Sequence, residues 1–168
     1  MKAIIIQGSS RNNGNTHKVS VELQKHLNCD IINLKDKNIG HYDYEYNNQD
    51  DDFPALIEKI ANEYDLIIFA SPVYWYTMSG LTKVFFDRIS DTIRISKDVG
   101  RKLRGKKMAA LSCGYGSDAI EGFFLPFQKS ADYLGIEYVG NIHTWVQTDS
   151  LDDEVKGIIK EFAERIKE

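Results

Sequence analysis

Five short apolar runs alternate along the chain with stretches of helical periodicity. The runs span residues 3–6, 29–34, 66–70, 108–112 and 136–145, and their lengths suit β-strands. The runs at 4–6 and 66–70 show no polar alternation, which is typical of parallel strands buried on both faces. The pattern therefore predicts an α/β fold with a doubly wound, five-stranded parallel sheet.

Five segments carry apolar residues at helical spacing. The residues are Val19, Leu23 and Leu27; Phe53, Leu56, Ile57 and Ile60; Leu81, Val84, Phe85 and Ile89; Ile120, Phe123, Phe127, Ala131 and Leu134; and Val155, Ile158, Ile159, Phe162 and Ile166. Pro126 lies inside the fourth segment, so we expect a kink or an interruption there. The basic stretch 97–107 has no such pattern and is expected to be a solvated connection.

Composition narrows the class of protein. A chain of 168 residues with 42% hydrophobic content suits one core and is short for two, so residues 1–168 are predicted to form a single domain. A net charge of −4 and a pI near 5.6 argue against a nucleic-acid partner. With two cysteines, no C-x-x-C, no signal peptide and no apolar run of membrane-spanning length, we expect a soluble cytoplasmic protein.

The segment after the first run, residues 8–16, reads Gly-Ser-Ser-Arg-Asn-Asn-Gly-Asn-Thr. A strand that ends in glycine and turns through small polar residues into a helix directs backbone N–H groups and the helix dipole at one point. Such a cradle binds phosphate, and the side chains add four neutral donors and one charge able to make two hydrogen bonds. These are Ser9, Ser10, Asn15 and Thr16, with Arg11 as the charge.

The spacing of this loop separates it from better known phosphate motifs. It has no lysine, which a nucleoside-triphosphate loop needs, and its second glycine comes only at Gly14, too late for a dinucleotide fingerprint. A terminal monophosphate suits it best. The alternative is a plain capped turn between strand and helix with Arg11 solvated.

The loop after the third run supplies a proline, a valine and three aromatic residues at the same edge of the sheet. These are Pro72, Val73, Tyr74, Trp75 and Tyr76. Pro72 is expected to fix the turn, the N–H groups of residues 73–76 to reach polar ring edges, and the aromatic rings to cover a planar heteroaromatic ligand. Alternatively, the aromatic residues pack against a partner subunit or a long loop.

After the fourth run, Cys113, Gly114 and Tyr115 begin a glycine-rich loop. Glycines at 114 and 116 allow close backbone approach to a ligand. Together with the phosphate cradle and the aromatic loop, this segment outlines a site for a phosphorylated flat ring. Cys113 does not resemble a phosphatase nucleophile, because position 118 is aspartate.

Three motifs carry a family resemblance: G-S-S-R-x-x-G-N-T at 8–16, S-P-V-Y-W at 71–75 and G-L-T-K-V-F-F-D-R at 80–88. They resemble the NAD(P)H-dependent FMN reductases of the flavodoxin-like superfamily. The resemblance implies a sheet of order 2-1-3-4-5, a homodimer, and FMN bound with its phosphate on Ser9, Arg11, Asn15 and Thr16. It places the isoalloxazine ring against residues 72–75 and the loop at 114–115.

The function implied is transfer of two electrons from NADH or NADPH to a small acceptor, such as a quinone, an azo or nitro compound, or free flavin. The flavin would carry the chemistry, so no catalytic side chain is expected. One alternative is a flavodoxin-type electron carrier that serves protein redox partners. A second alternative is a flavin-binding sensor with negligible turnover.

Several other residues have structural interpretations. The related iron–sulfur flavoproteins carry a cysteine cluster where this chain has residues 38–50, which contain none, so no cluster and no metal is expected there. The three tyrosines of that loop, at 42, 44 and 46, either cover the flavin or a partner, or belong to a flexible exposed loop. Aspartates 50–52 favour the start of the next helix. Lys83, Asp87 and Arg88 are expected to have structural or interfacial roles, and His143 and Trp145 to be ordinary strand-end residues, although both lie where a ring could approach.

Overall fold

A computed structural model describes residues 1–118 and 120–167 as a parallel sheet with helices on both faces. Its five strands lie in the order β2-β1-β3-β4-β5. This confirms the flavodoxin-like topology expected from the sequence. The strands are β1 (Ala3–Gln7), β2 (Asp30–Asn33), β3 (Leu66–Pro72), β4 (Lys107–Gly114) and β5 (Glu137–Trp145).

Six α-helices are present in the described part of the chain. They are α1 (Asn15–Leu27), α2 (Phe53–Glu63), α3 (Gly80–Arg94), α4 (Lys97–Leu103), α5 (Leu125–Leu134) and α6 (Asp153–Arg165). A single 3-10 turn, Leu34–Asp36, follows β2. No helix among the described residues has the length and apolar content needed to cross a membrane.

The central strands β1, β3 and β4 are buried along nearly their whole length because both faces of the sheet are covered. Side chains alternate between faces along a strand, so Ile4 and Ile6 join one core while Ile5 joins the other. The first core is closed by α2, α3, α4 and α5 and contains a cluster of phenylalanines, with ring centroids of Phe69 and Phe86 4.6 Å apart. The second core is closed by α1 and α6.

One expectation about helices is wrong, and the structure locates a second more closely. The stretch expected to be a connection contains α4, whose Leu103 is buried in the first core and whose Val99 packs against that core; two apolar residues in a seven-residue helix are too few for a clear periodic pattern. The fourth segment is interrupted near Pro126, as expected: it becomes helical only at Leu125, and Pro126 occupies the first turn of the helix, where the missing proline N–H costs nothing. Phe123 stays buried from the turn before the helix.

The sheet is longer at its carboxyl edge than the apolar runs indicate. Pro72, expected in a turn, is the last residue of β3 and pairs with Cys113, which lies in β4 together with Gly114. The carboxyl ends of β1, β3 and β4 therefore form one edge. In doubly wound sheets this edge, next to the switch in strand order, is where ligands bind.

The loop of residues 38–52 is held by one buried cation of α3. The Arg88 guanidinium donates to the carbonyl oxygens of Gly40 at 3.0 Å and Asn48 at 2.8 Å, and it contacts the Asp51 carboxylate. Asp51 also accepts a hydrogen bond from the N–H of Phe53 at 2.9 Å, as expected of an acidic residue at a helix start. The structural role expected for Arg88 is thus to anchor this loop.

Candidate functional site

A cleft of about 310 Å³ opens at the carboxyl edge of the sheet. It is lined by twelve of the fourteen residues that the sequence nominates. They are Ser9, Ser10, Arg11, Gly14, Asn15, Thr16, Pro72, Val73, Tyr74, Cys113, Gly114 and Tyr115. Three separate chain segments thus converge on one cavity, and only the side chains of Trp75 and Tyr76 lie outside its lining.

A second cleft of about 380 Å³ lies between α3, α4 and α5. It is larger, but its lining includes Lys97, Arg101 and Arg104, which belong to no ligand-binding pattern in the sequence. Volume alone therefore does not identify the site. The convergence of the three nominated segments makes the first cleft the candidate site.

The phosphate-loop end of the cleft is built around a helix start that lacks a side-chain cap. Gly14 occupies the N-cap position of α1 with extended backbone and no side chain to accept from the first N–H groups. The first turn of a helix leaves N–H groups without intrahelical partners, and its dipole favours an anion there. The cleft therefore presents uncapped donors with a positive field to any bound anion.

Close packing against α3 sets the backbone at the start of this loop. A Cβ atom on Gly8 would lie 1.9 Å from Oγ1 of Thr82, so only glycine fits. The carbonyl oxygen of Gly8 accepts a hydrogen bond of 2.5 Å from Oγ of Ser79. Ser79 also caps α3, because its Oγ accepts from the Thr82 N–H at 3.2 Å. The phosphate loop is thus locked to the start of the helix that follows the aromatic loop.

The polar side chains of the loop fall into two groups. Arg11 is exposed, and no salt bridge between described residues involves it. Asn15 and Ser9 are already engaged: Nδ2 of Asn15 donates to the Val146 carbonyl at 3.2 Å, and Oγ of Ser9 accepts from the Arg11 N–H at 3.2 Å. Arg11 is therefore the charge available to a ligand in this part of the cleft.

The aromatic loop contains a strained two-residue turn. Trp75 and Tyr76 have φ angles of 47° and 67°, and the turn is closed by two hydrogen bonds between Tyr74 and Thr77, of 3.0 and 3.1 Å. Two consecutive positive φ angles define a type I′ turn, which normally carries Asn-Gly. Bulky residues in this conformation cost roughly 1–3 kcal/mol each and cluster at functional sites.

The turn changes two expectations about this loop. The side chains of Trp75 and Tyr76 do not line the cleft and are 92% and 73% exposed. The N–H of Val73 is bonded to the Cys113 carbonyl and that of Tyr74 to the Thr77 carbonyl, each at 3.0 Å, so these two are not free. Among the described hydrogen bonds, none uses the N–H groups of residues 75 and 76. Those two remain available at the rim.

A hydrogen bond joins the aromatic loop to the phosphate loop. Oγ of Ser10 and the phenolic oxygen of Tyr74 lie 3.1 Å apart. Since Ser10 follows β1 and Tyr74 follows β3, this contact fixes the width of the cleft between them. The Tyr74 ring is half exposed at the cleft wall.

The third wall comes from the end of β4 and contains no ionised group. Burial raises the pKa of the Cys113 thiol to about 11, so the thiol is neutral at pH 7. The exposed ring of Tyr115 follows Gly114 at the rim. His143 of β5 contacts this wall from behind: Nε2 lies 2.9 Å from the Gly116 carbonyl and Nδ1 lies 2.7 Å from Oγ of Ser112.

The residues that support the cleft from outside were missed by sequence reasoning. Ser79, Thr82 and Ser112 are single small polar residues, and their role follows from partners far along the chain. An N-cap serine before an apolar helical pattern could have suggested Ser79, but nothing local predicts its contact with Gly8. The tyrosines at 42, 44 and 46 pack on one another, with ring centroids 5.1 and 6.3 Å apart, and do not line the cleft.

Comparison with known proteins places the chain in a family. Residues 1–123 match the model of the NADPH-dependent FMN reductase family. YwqN of Bacillus subtilis, named as an NAD(P)H-dependent FMN-containing oxidoreductase, is 27% identical over 152 residues, covering 84% of this chain and 83% of YwqN.

Solved structures show the same fold. The Trp repressor binding protein of Bacillus subtilis superposes with a TM-score of 0.76 at 23% identity over 95% of this chain and 96% of that one. An FMN-dependent NADH-azoreductase from Bacillus anthracis, solved with FMN, superposes with a TM-score of 0.69 at 16% identity over the full length of both chains. With the family match covering most of its length, this chain belongs to the NADPH-dependent FMN reductase family.

Proposed function

We propose that this FMN-dependent NAD(P)H oxidoreductase passes two electrons from NADH or NADPH to a flat small-molecule acceptor, such as a quinone, an azo or nitro compound, or free flavin. One observation carries the proposal. A single cleft joins an uncapped helix start with a free arginine at one end to aromatic and glycine walls at the other. That combination matches a ring that carries a terminal phosphate.

The phosphate end fits a monoester dianion. The N–H groups at the start of α1 and the guanidinium of Arg11 would bind its oxygens, with Ser10 and Thr16 as neutral donors. Gly14 supports this assignment, because a Cβ there would lie 3.1 Å from the Cβ of Arg11 and crowd the side chain that completes the nest. The side chain of Asn15 would contribute less to phosphate binding than the sequence indicates, since its Nδ2 donates to the Val146 carbonyl.

The ring end fits an isoalloxazine. The N–H groups of Trp75 and Tyr76 are the free donors at the rim, so these residues would contact the polar ring edge through their backbone rather than through their rings. Pro72, Val73 and Tyr74 would lie along one side of the ring, and Gly114 and Tyr115 along the other. Aromatic and aliphatic walls with a few fixed donors are typical of cofactor sites.

When bound, FMN would supply the chemistry of two-electron transfer from nicotinamide to acceptor. The chain's own residues would bind the flavin and orient it. The neutral Cys113 thiol adds no charge under the ring, and the exposed Trp75 ring offers a flat surface beside the cleft on which an aromatic acceptor can stack. No side chain is assigned a proton-transfer role.

We further propose that the protein is a cytoplasmic homodimer. Tyr76, Tyr133 and Leu125 are large apolar side chains that are 73%, 75% and 51% exposed. A second copy would remove such surface from water. Sedimentation velocity at two concentrations tests the homodimer: a monomer at both concentrations would contradict it.

The decisive experiment is flavin binding followed by turnover. The purified protein should take up one FMN per chain, and NADH or NADPH should reduce the bound flavin. Steady-state rates with quinone, azo and nitro acceptors should give parallel double-reciprocal lines, because both substrates use the same site. If FMN binds but neither nicotinamide reduces it, the oxidoreductase proposal is wrong and the electron-carrier or sensor alternative takes its place; if no flavin binds, all three are wrong.

A further inference from the structure

We propose that His143 is a positioning residue that fixes the wall of the cleft formed by residues 114–116, and thereby the affinity of the protein for the flavin ring. The inference rests on the proposed FMN site. His143 itself does not line the cleft. It acts through the backbone of Gly114, which lines the cleft, and of Gly116, which follows the lining residue Tyr115.

Hydrogen bonding determines which ring nitrogen carries the proton. The Gly116 carbonyl can only accept, so Nε2, at 2.9 Å, must be the protonated nitrogen that donates to it. Nδ1 is then an acceptor, and the Ser112 hydroxyl donates to it at 2.7 Å. Ser112 is buried, and its hydroxyl, which can donate or accept, fits the tautomer that holds Gly116.

Packing fixes the orientation of the imidazole ring. A Cβ on Gly114 would lie 3.1 Å from Cε1 of His143, so the ring sits directly against the backbone of the cleft wall. The Trp145 ring lies nearly parallel to it, with centroids 6.4 Å apart and an angle of 27° between planes. Any change in the ring position is thus passed to the wall.

The wall needs this contact because it extends beyond the sheet. In the β4–β5 ladder, Ser112 pairs with His143 and Gly114 with Trp145. The Gly114 carbonyl is held by the Val146 N–H at 3.3 Å. The hydrogen bond from His143 continues the anchoring two residues further, on the far side of the exposed Tyr115.

The test uses His143→Phe, which keeps a flat ring against Gly114 but removes both hydrogen bonds, and His143→Gln, whose amide can still donate to Gly116. Affinities for FMN and riboflavin are measured by titration on apoprotein. Because a net hydrogen bond is worth about 0.5–1.5 kcal/mol, we expect His143→Phe to bind both ligands roughly 3- to 10-fold more weakly. His143→Gln should stay within about twofold of the parent protein.

Two further measurements separate positioning from folding. Fluorescence of bound FMN should rise in His143→Phe, as Tyr115 no longer stays in place to quench it, whereas a purely structural role would leave the fluorescence of bound FMN unchanged. Ser112→Ala leaves His143 in place and should weaken the binding of both ligands about twofold. This variant keeps the test available if His143→Phe does not fold. His26→Phe, in the last turn of α1, is the matched control and should bind like the parent.

The proposal is overturned if His143→Phe binds both flavins like the parent protein, if it loses affinity for FMN alone, or if His143→Gln binds as weakly as His143→Phe. Failure of the proposed function would look different. In that case the unmodified protein itself would bind no flavin.

Discussion

Arg88 and Asp51 form an ion pair inside the protein, although 37 residues separate them in the sequence. Their side chains are only 1% and 8% exposed. A second carboxylate, Asp91, accepts from Nε of Arg88 at 2.9 Å, and two backbone carbonyls take the remaining donors. This network joins α3 to the loop before α2, and the charge of Arg88 is balanced by two aspartates.

Asp51→Asn should lower the free energy of unfolding by about 3 kcal/mol, because breaking a buried pair leaves Arg88 under-compensated. Urea denaturation of the apoprotein measures this change in the free energy of unfolding. Asp87→Asn is the matched control on α3. Asp87 pairs with Lys83 at 2.6 Å, but both side chains are largely exposed. This variant should therefore lower the free energy of unfolding by less than roughly 0.5 kcal/mol. Equal losses in the two variants would contradict the assigned role.

The same pair predicts a pH dependence. Burial disfavours the ionised form of Asp51, but hydrogen bonds from Arg88 and from the N–H groups of Gly40 and Phe53 outweigh it and lower its pKa. A depressed folded-state pKa gives stability that is complete above the unfolded pKa, about 4, and is lost as pH falls through the folded value. The stability difference between parent and Asp51→Asn should therefore be constant from pH 5 to 8 and shrink at lower pH. A gap that widens on acidification would refute this.

Arg11→Ala should weaken FMN binding by about 1.5–3 kcal/mol, the worth of a charged hydrogen bond to phosphate. Riboflavin binding should hardly change, since riboflavin lacks the phosphate. Titration of both ligands checks this, with Arg101→Ala as control, because Arg101 is an exposed cation of α4 outside the cleft. Parallel losses for both flavins would show that Arg11 acts on the ring site or on the fold.

Gly8→Ala should destabilise the protein by roughly 1–3 kcal/mol, since the new methyl group would overlap the Thr82 hydroxyl. Adding Thr82→Ala to Gly8→Ala should restore part of the lost stability, because the hydroxyl that overlaps the new methyl group is removed. Gly80→Ala is the contrast: a Cβ there meets nothing within 4 Å, and alanine at the start of α3 should be neutral or stabilising. The unfolding midpoint in urea reports all three variants, and an unchanged midpoint in Gly8→Ala would disprove the close contact.

Replacing the strained turn with Trp75→Asn and Tyr76→Gly should stabilise the protein by roughly 1–2 kcal/mol, since Asn-Gly suits a type I′ turn. The same change should raise KM for aromatic acceptors, because the stacking surface is lost, while ferricyanide, which has no aromatic ring, is reduced as before. Trp75→Phe keeps both the strain and an aromatic ring and should resemble the parent in both measurements. A stabilised variant with unchanged KM for every acceptor would show that the Trp75 side chain does not contact the substrate.

Local sequence determined most of the architecture. Uninterrupted apolar runs specify strands buried on both faces, and the five predicted strands all occur. The glycine-rich loop after β1, the aromatic loop after β3 and the glycine loop after β4 each carry their chemistry in consecutive residues. The fold rule for parallel sheets then brings them to one edge, which is why twelve nominated residues line one cleft.

Tertiary structure decided what depends on partners distant in sequence. Pro126 could interrupt a helix or begin one, and packing of Phe123 and Phe127 in the first core chose the latter. The positive φ angles of Trp75 and Tyr76 run against their own conformational preference, and hydrogen bonds of Tyr74 to Ser10 and Thr77 hold the turn that contains them. The tautomer of His143 depends on the carbonyl of Gly116, 27 residues away. Hydrophobic period and turn chemistry are properties of neighbours along the chain, whereas a buried hydrogen bond has no partner until the fold supplies one.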